Sequence, residues 1–376
     1  MNQKIAHFLA EHSPETPCLV VDLDVVAEAY ELLSRYLSSA RIYYAVKANP
    51  APEIVAMLTG MGCNFDVASP AEIALCLSRG AAADRLSFGN TIKKEKDIAF
   101  AYERGVRLFA FDSEAELLKL ARTAPGARVF CRILVSCAGA DWPLSRKFGC
   151  TPEMAISLLR RARGIGLDPY GVSFHVGSQQ TDLGQWDGAI GAAARMFTAL
   201  AETDIELRMI NIGGGFPARY RGEVAGVERY AQAVTDALTR HFGNSLPEII
   251  VEPGRSIVGD AGIIQSEVVL ISRKAANEEK RWIYLDVGKF NGLAETMDES
   301  IKYRIEAPGR GGPRGPVIIA GPTCDSADIL YERTEYDLPL GLEIGDKVAI
   351  LAAGAYTASY ASVGFNGFPP LRTYCI

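Results

Sequence analysis

Residues 43–50 read YYAVKANP. Aromatic and apolar residues run up to Val46, a single lysine follows at Lys47, and Asn49-Pro50 then signals a turn. The run reads as a buried strand, so a cation at its tip needs a chemical or a structural reason. The same layout recurs along the chain. Short apolar runs lie at 42–46, 63–68, 85–88, 108–111, 129–135, 170–176, 209–212 and 249–251. Amphipathic, helix-like segments separate most of them, at 52–59, 70–78, 94–104, 114–122, 152–164 and 185–202. Eight strands alternating with helices over roughly 215 residues indicate an α/β chain folded as a (β/α)8 barrel. In that fold chemistry collects where the strands end. The run ends here carry Lys47, Asp66, Asn90, Asp112, Arg132, His175, the three glycines Gly213, Gly214 and Gly215, and Glu252 with Arg255.

After Asp260 the rhythm changes. Strand-like runs at 263–271, 281–287, 316–319 and 347–351 follow one another without regular helices between them. GLEIGDKVAIL (341–351) has the turn-then-strand texture of a small β-barrel. PCLVVD (17–22) is a strand placed ahead of the barrel and is expected to pair with the C-terminal part. The expected organisation is a barrel over 25–260 and a discontinuous β-barrel domain made of 1–24 and 261–376. The segment EAPGRGGPRGP (306–316) is a loop by composition.

The chain has 376 residues, 48% of them apolar and 22% charged, which suits a soluble enzyme with more than one core. The net charge of −6 comes without a basic block, which argues against a nucleic-acid partner. No apolar run reaches the ~18 residues of a membrane span. The N-terminal stretch MNQKIAHFLAEHSPETP lacks the apolar core of a secretion signal, so a cytoplasmic location is expected. Eight cysteines form no C-x-x-C pair and no histidine stands at zinc-ligand spacing, so no metal site is expected.

A lysine at a strand tip can simply reach water along its apolar stem. Alternatively its amine is a nucleophile that forms a Schiff base. With pyridoxal 5'-phosphate as electron sink, that second role needs a phosphate cradle, a carboxylate for the pyridine nitrogen and a group stacked on the ring. NIGGGFP (211–217) offers the cradle, since successive glycines let backbone amides approach an anion closely. Its spacing is not that of a dinucleotide fingerprint. VEPGRS (251–256) offers Glu252 as the carboxylate and Arg255 as a bidentate anion contact, or else an ion pair between the two at a turn. SFHVGSQ (173–179) offers His175, one of four histidines, as the ring partner, with Ser178 as a phosphate donor. In GPTCDSAD (321–328) a cysteine stands beside an aspartate in a Gly/Pro loop. GAYTASYASVGFNGF (354–368) is either a packed β-segment or a carrier of Tyr356 toward a phosphate.

As an ordered set, YYAVKAN, FDVAS, HVGSQ, GGGFP, EPGR, GPTCDSAD and GAYT resemble the fold-type III pyridoxal-phosphate decarboxylases. The likeness spans residues 17–368 and is greatest to compact bacterial ornithine decarboxylases. It implies an alanine-racemase-like barrel with a C-terminal β-barrel domain, pyridoxal 5'-phosphate as cofactor, and a homodimer with shared active sites. Lys47 would carry the cofactor, with Asp66 and Glu72 supporting it. Arg132 would contact the ring or a supporting carboxylate, and His175 would stack on the ring. Ser178, Gly213, Gly214, Gly215, Arg255 and Tyr356 would hold the phosphate. Glu252 would pair with the pyridine nitrogen. Cys324 and Asp325 would enter the neighbouring subunit's site, with Cys324 returning a proton after carbon dioxide leaves. The implied reaction is conversion of L-ornithine to putrescine, with L-lysine to cadaverine beside it, so the ligand is a cationic amino acid. Asp325, Asp298 or Glu295 would meet its distal amine. Diaminopimelate and arginine decarboxylases are the alternatives on the same scaffold. A non-catalytic carrier of the cofactor fits poorly, because such proteins are single barrels and this chain continues past Asp260 to Cys324.

Overall fold

A computed structural model of the chain describes residues 2–142 and 147–376. The chain divides into two compact units. One comprises Ala27–Pro217 and Val224–Gly254; the other comprises Met1–Val26, Ala218–Glu223 and Arg255–Ile376. The expected boundary at 260 thus falls instead at Arg255, and a short excursion at Ala218–Glu223 belongs to the second unit.

The first unit is a closed barrel of eight parallel strands. They are Ala40–Ala45, Asn64–Val67, Leu86–Phe88, Leu108–Phe111, Arg128–Arg132, Asp168–Ser173, Met209–Asn211 and Glu248–Val251, each beside its sequence neighbour. The last closes on the first with Ile249 opposite Ala40. Every residue of Asn64–Val67 and Leu108–Phe111 is buried. Strands covered on both faces read as continuous apolar runs rather than alternating ones, which is why these are visible in the sequence. Tyr43, Leu108, Ala110, Phe130, Met209 and Ile250 pack together as a core cluster. Truncating one of the large members, as in Phe130→Ala, would cost about 3–5 kcal/mol.

What ends each strand also starts the next helix. Ser69, Ser113 and Thr151 cap Pro70–Ser78, Glu114–Thr123 and Pro152–Gly164, each side chain accepting a backbone amide in the first turn. Two of these helices, and Pro52–Gly60, begin with proline, whose missing amide donor is no loss there. The polar residues just beyond each strand are thereby set at one rim of the barrel. Helix Val227–Phe242, between the seventh and eighth strands, is an element the sequence reading did not name.

The second unit holds an eight-stranded, mostly antiparallel sheet where a small β-barrel is expected. Its order is Arg304–Glu306, Lys347–Leu351, Gly262–Ser272, Arg281–Leu285, Arg314–Ala320, Ile329–Pro339. Cys18–Val21 adds antiparallel to Gly262–Ser272 and parallel to Arg372–Cys375, so the early strand does join the C-terminal sheet. Residues 354–368 form turns with two short 3-10 segments, Ala358–Tyr360 and Phe365–Gly367, and not a β-segment. Among the described residues no helix is long and apolar enough to cross a membrane.

Candidate active site

Lys47 sits in a single 3-10 turn, Val46–Ala48, directly after the first barrel strand. Its Nζ lies 2.8 Å from Asp66 Oδ2, at the end of the second strand. The lysine side chain is 49% exposed and the aspartate 4%, so the amine is reachable while its partner is fixed. Lys93, just beyond the third strand, makes the contrast clear. Its side chain is fully buried, and its amine contacts the carbonyls of Asn90 (2.8 Å) and Ala110 (2.6 Å) and the Glu116 carboxylate (3.0 Å). Two carbonyls take its hydrogen bonds beside the Glu116 carboxylate, although burial pushes its pKa down to about 8. Of the two lysines, Lys47 is the exposed one.

Glu252 follows the eighth strand. The Asn211 amide donates to its carboxylate, and its own backbone amide donates to the Gly213 carbonyl at 2.8 Å. Burial, and then the nearby Asp66 carboxylate, push its pKa up to about 7, against the opposing pull of Lys47, Asn211 and Arg132. Burial likewise raises Glu72, whose carboxylate accepts the Ala68 amide at 2.7 Å and feels both Lys47 and Asp66. Arg132 ends the fifth strand and lies 5.0 Å over the Phe148 ring. Burial lowers its pKa while Glu252, Asp112 and Asp66 pull it back up. These mutual influences place Lys47, Asp66, Glu72, Arg132 and Glu252 in one electrostatic neighbourhood.

His175 belongs to the same group. Burial, then the Arg132 and Lys47 charges, hold it well below the usual imidazole value. The Gly177 amide donates to its Nδ1 at 3.0 Å, so Nδ1 carries no proton and the neutral ring holds its hydrogen on Nε2. That ring faces the glycine loop: a Cβ built on Gly214 would lie 3.3 Å from His175 Nε2 and 2.5 Å from the Glu252 carbonyl oxygen. Gly213, with φ +68°, would put a Cβ 2.3 Å from the Phe174 carbonyl. The sequence therefore needs glycine here on steric grounds. Ser178 opens the short strand Ser178–Gln180, which pairs with Ala140–Trp142.

The residues fit pyridoxal 5'-phosphate. There is a reachable amine beside a fixed carboxylate, a glycine cradle that side chains would fill, and a carboxyl that keeps its proton close to neutrality. Asp66 Oδ1 is also buried with no hydrogen-bond partner in the protein. Sequence reasoning missed Asn211 as a working residue. It orients Glu252 through Nδ2 and accepts the Gly213 amide through Oδ1 at 2.9 Å, so one side chain ties carboxylate and cradle together. Its signal was its place at the end of the seventh strand, two residues before the first glycine.

The second unit carries the other expected residues. Arg255 opens the short helix Arg255–Val258, and its guanidinium meets Glu295 in a bidentate pair, at 2.8 Å and 2.6 Å, with 2.6 Å to the Tyr220 hydroxyl. Both partners are almost fully buried. The guanidinium also lies 4.9 Å over the Tyr356 ring. The partner of Arg255 in an ion pair is thus Glu295 and not Glu252, and this pairing removes Glu295 from the acids free to meet a substrate amine. Asp298 stays exposed and lines a cavity of about 560 Å³ with Lys289, Phe290, Met297, Ala327 and Tyr360. Cys324 and Asp325 are exposed on a turn, with Asp325 Oδ1 accepting the Ala327 amide at 2.8 Å.

A parallel (β/α)8 barrel with an amine, a proton-bearing carboxyl and a glycine cradle on one rim defines a pyridoxal-phosphate enzyme of the barrel type. Residues 23–259 match the family model described as pyridoxal-dependent decarboxylase, pyridoxal binding domain. The chain is 35% identical to the lysine/ornithine decarboxylase of Selenomonas ruminantium over 98% of its length and 91% of that protein's. It is 34% identical to the chloroplastic ornithine decarboxylase of Nicotiana glutinosa, over 94% and 82% respectively. The crystal structure of the Vibrio vulnificus lysine/ornithine decarboxylase complexed with cadaverine superposes with a TM-score of 0.90 at 29% identity, covering 100% of this chain and 99% of that one. The chain belongs to the pyridoxal-dependent decarboxylases, and it is a PLP-dependent amino-acid decarboxylase.

Proposed function

We propose that the protein converts L-ornithine to putrescine and takes L-lysine as a second substrate. The observation that carries this reading is Asp298, an exposed carboxylate on the wall of the otherwise largely apolar 560 Å³ cavity in the second unit. A ligand with a cationic distal end and an aliphatic stem matches such a wall. The names of the relatives, lysine/ornithine and ornithine decarboxylase, support the same class. Ornithine and lysine differ by one methylene, which a pocket discriminates by only ~1–3 kcal/mol, so use of both is expected.

Lys47 would carry the cofactor covalently, Gly213, Gly214, Gly215 and Ser178 would bind its phosphate, Glu252 would pair with its ring nitrogen, and His175 would cover one ring face. The family resemblance gives Arg255 and Tyr356 to the phosphate as well. When bound, pyridoxal phosphate supplies an electron sink that lets the bond to the substrate carboxylate break. Asp66 holds Lys47 Nζ in place and keeps it ready to exchange with the incoming substrate amine. Glu252 holds a proton toward the ring nitrogen, which its raised pKa suits. The neutral His175 covers the ring without adding a competing charge. Once carbon dioxide has left, the α-carbon needs one proton; Cys324 Sγ delivers it and regains one from water. Asp298 and Asp325 would receive the distal ammonium. The protein would act as a homodimer in which Cys324 and Asp325 of one copy serve the other copy's Lys47.

Carbon dioxide release measured across ornithine, lysine, arginine and meso-diaminopimelate tests the substrate assignment. Turnover of ornithine and lysine well above the other two is expected. Turnover of meso-diaminopimelate or arginine alone would overturn the substrate and leave the decarboxylase chemistry standing.

A further inference from the structure

We propose that Asp328 and Asn366 are positioning residues that fix the Cys324 thiol for its proton delivery. The inference rests on the reading of Cys324 as proton donor. Cys324 stands on an exposed turn between Thr323 and Asp325, where an unsupported thiol would sample many directions. The turn is instead held from both sides.

On one side is Asp328, a buried carboxylate in the second unit. Its Oδ2 accepts the Thr323 amide at 3.0 Å and the Thr323 hydroxyl at 2.7 Å, and its Oδ1 accepts the Lys289 amide at 2.8 Å. Its backbone closes the same turn, the Asp328 amide donating to the Asp325 carbonyl at 3.0 Å and the Gly321 amide donating to the Asp328 carbonyl at 2.8 Å. Two glycines wall the carboxylate in: a Cβ on Gly288 would lie 2.2 Å from Asp328 Oδ1, and one on Gly321 would lie 2.4 Å from it. The carboxylate therefore has one pose.

On the other side is Asn366, whose side-chain oxygen accepts the amide of Cys324 itself at 3.0 Å. Asn366 has φ 52°, a left-handed conformation that asparagine tolerates better than most residues. Its segment is pinned back to the loop that Asp328 grips. Phe365 packs on Phe290 with ring centroids 4.9 Å apart, and the Ser362 amide donates to the Phe290 carbonyl at 2.8 Å. A closed circuit results: Asp328 to Lys289, Phe290 to Phe365, Asn366 to Cys324, and Thr323 back to Asp328. Misplacing a reacting group by about 1 Å can lower a rate ~10²-fold, so such a circuit matters for a thiol that must meet one carbon atom.

The test uses the holoenzyme and the partition of product. A proton delivered to the α-carbon gives the amine. A proton delivered to the cofactor instead leaves the amino group there, and water releases an aldehyde. Cys324→Ala sets the reference for a lost donor. Asn366→Gly removes the acceptor without straining the left-handed backbone, and Asn366→Asp keeps an acceptor oxygen. Asn366→Gly should lower kcat about 10-fold with KM little changed and raise the aldehyde fraction toward that of Cys324→Ala. Asn366→Asp should restore most of the amine product, and Asn366→Gly combined with Cys324→Ala should match Cys324→Ala alone. In cofactor-free protein, hydrogen exchange at the Cys324 amide should accelerate in Asn366→Gly. If Cys324→Ala shifts the partition and Asn366→Gly shifts neither partition nor exchange, the positioning role is wrong. If Cys324→Ala leaves the partition unchanged, the donor reading has failed and the positioning role falls with it.

Discussion

Replacing Glu252 by glutamine in cofactor-free protein isolates one consequence of burying that carboxyl. In the folded chain its pKa is pushed up to about 7, against an ordinary 4.5. A raised acid favours its neutral form in the fold, so its contribution to stability is complete below pH 4.5 and is lost as pH rises through about 7. At ~1.4 kcal/mol per pH unit, the whole loss amounts to about 3 kcal/mol. Glutamine has nearly the same shape and does not titrate. The stability of Glu252→Gln relative to the parent should therefore rise between pH 5 and pH 8 by about 2.5 kcal/mol, the first part of the loss having occurred below pH 5. Urea unfolding of both apo proteins at the two pH values, followed by circular dichroism, reads the difference directly. An equal stability difference at both pH values would mean that Glu252 ionises normally in the fold, and the argument that it holds a proton for a ring nitrogen would collapse. In the loaded enzyme the same substitution should lower kcat by ~10²-fold or more, because glutamine has no carboxyl proton to offer the ring nitrogen.

Gly214→Ala should weaken pyridoxal-phosphate affinity about 10-fold or more, since the new Cβ would sit 2.5 Å from the Glu252 carbonyl and something must shift; a cofactor titration of apo protein checks it. Glu295→Gln leaves a buried guanidinium without its charge partner and should destabilise the protein by about 3–5 kcal/mol, seen as a lowered urea midpoint. Asp298→Ala should raise KM for ornithine roughly 10-fold with a smaller effect on kcat, which steady-state assays separate. Mixing inactive Lys47→Ala with Cys324→Ala should restore about a quarter of parental activity if the copies share sites, because random exchange leaves one intact site in each mixed dimer; no recovery would argue for self-contained sites.

How much of this was legible depends on the range of the forces involved. Barrel strands announce themselves because both faces are buried; the run at 42–46 corresponds to Ala40–Ala45 and the run at 108–111 to Leu108–Phe111. Lys47, His175 and Glu252 were legible as interruptions at strand ends. Strand Ile329–Pro339 was not, since its sequence, ILYERTEYDLP, is crowded with charge and becomes a strand by pairing with Arg314–Ala320. A β-segment was one of two readings that the small and aromatic residues of 354–368 allowed, yet Gly364, Asn366 and Gly367 all take positive φ, which breaks a ladder. The partner of Arg255 lies 40 residues away in a different loop, and no local spacing encodes that choice. Glu295 and Asp298 stand three residues apart and look interchangeable in sequence. Folding buries one against a guanidinium and leaves the other on a cavity wall.

The central claim is that Lys47 is the residue that carries the cofactor. Borohydride reduction of the purified holoenzyme, followed by peptide mass spectrometry, tests it most directly. A pyridoxyl group fixed on Lys47 is expected, with Lys93 unmodified because its amine is buried against the Ala110 carbonyl and the Glu116 carboxylate. Label on Lys93 or another lysine, or none at all on coloured protein, would contradict it.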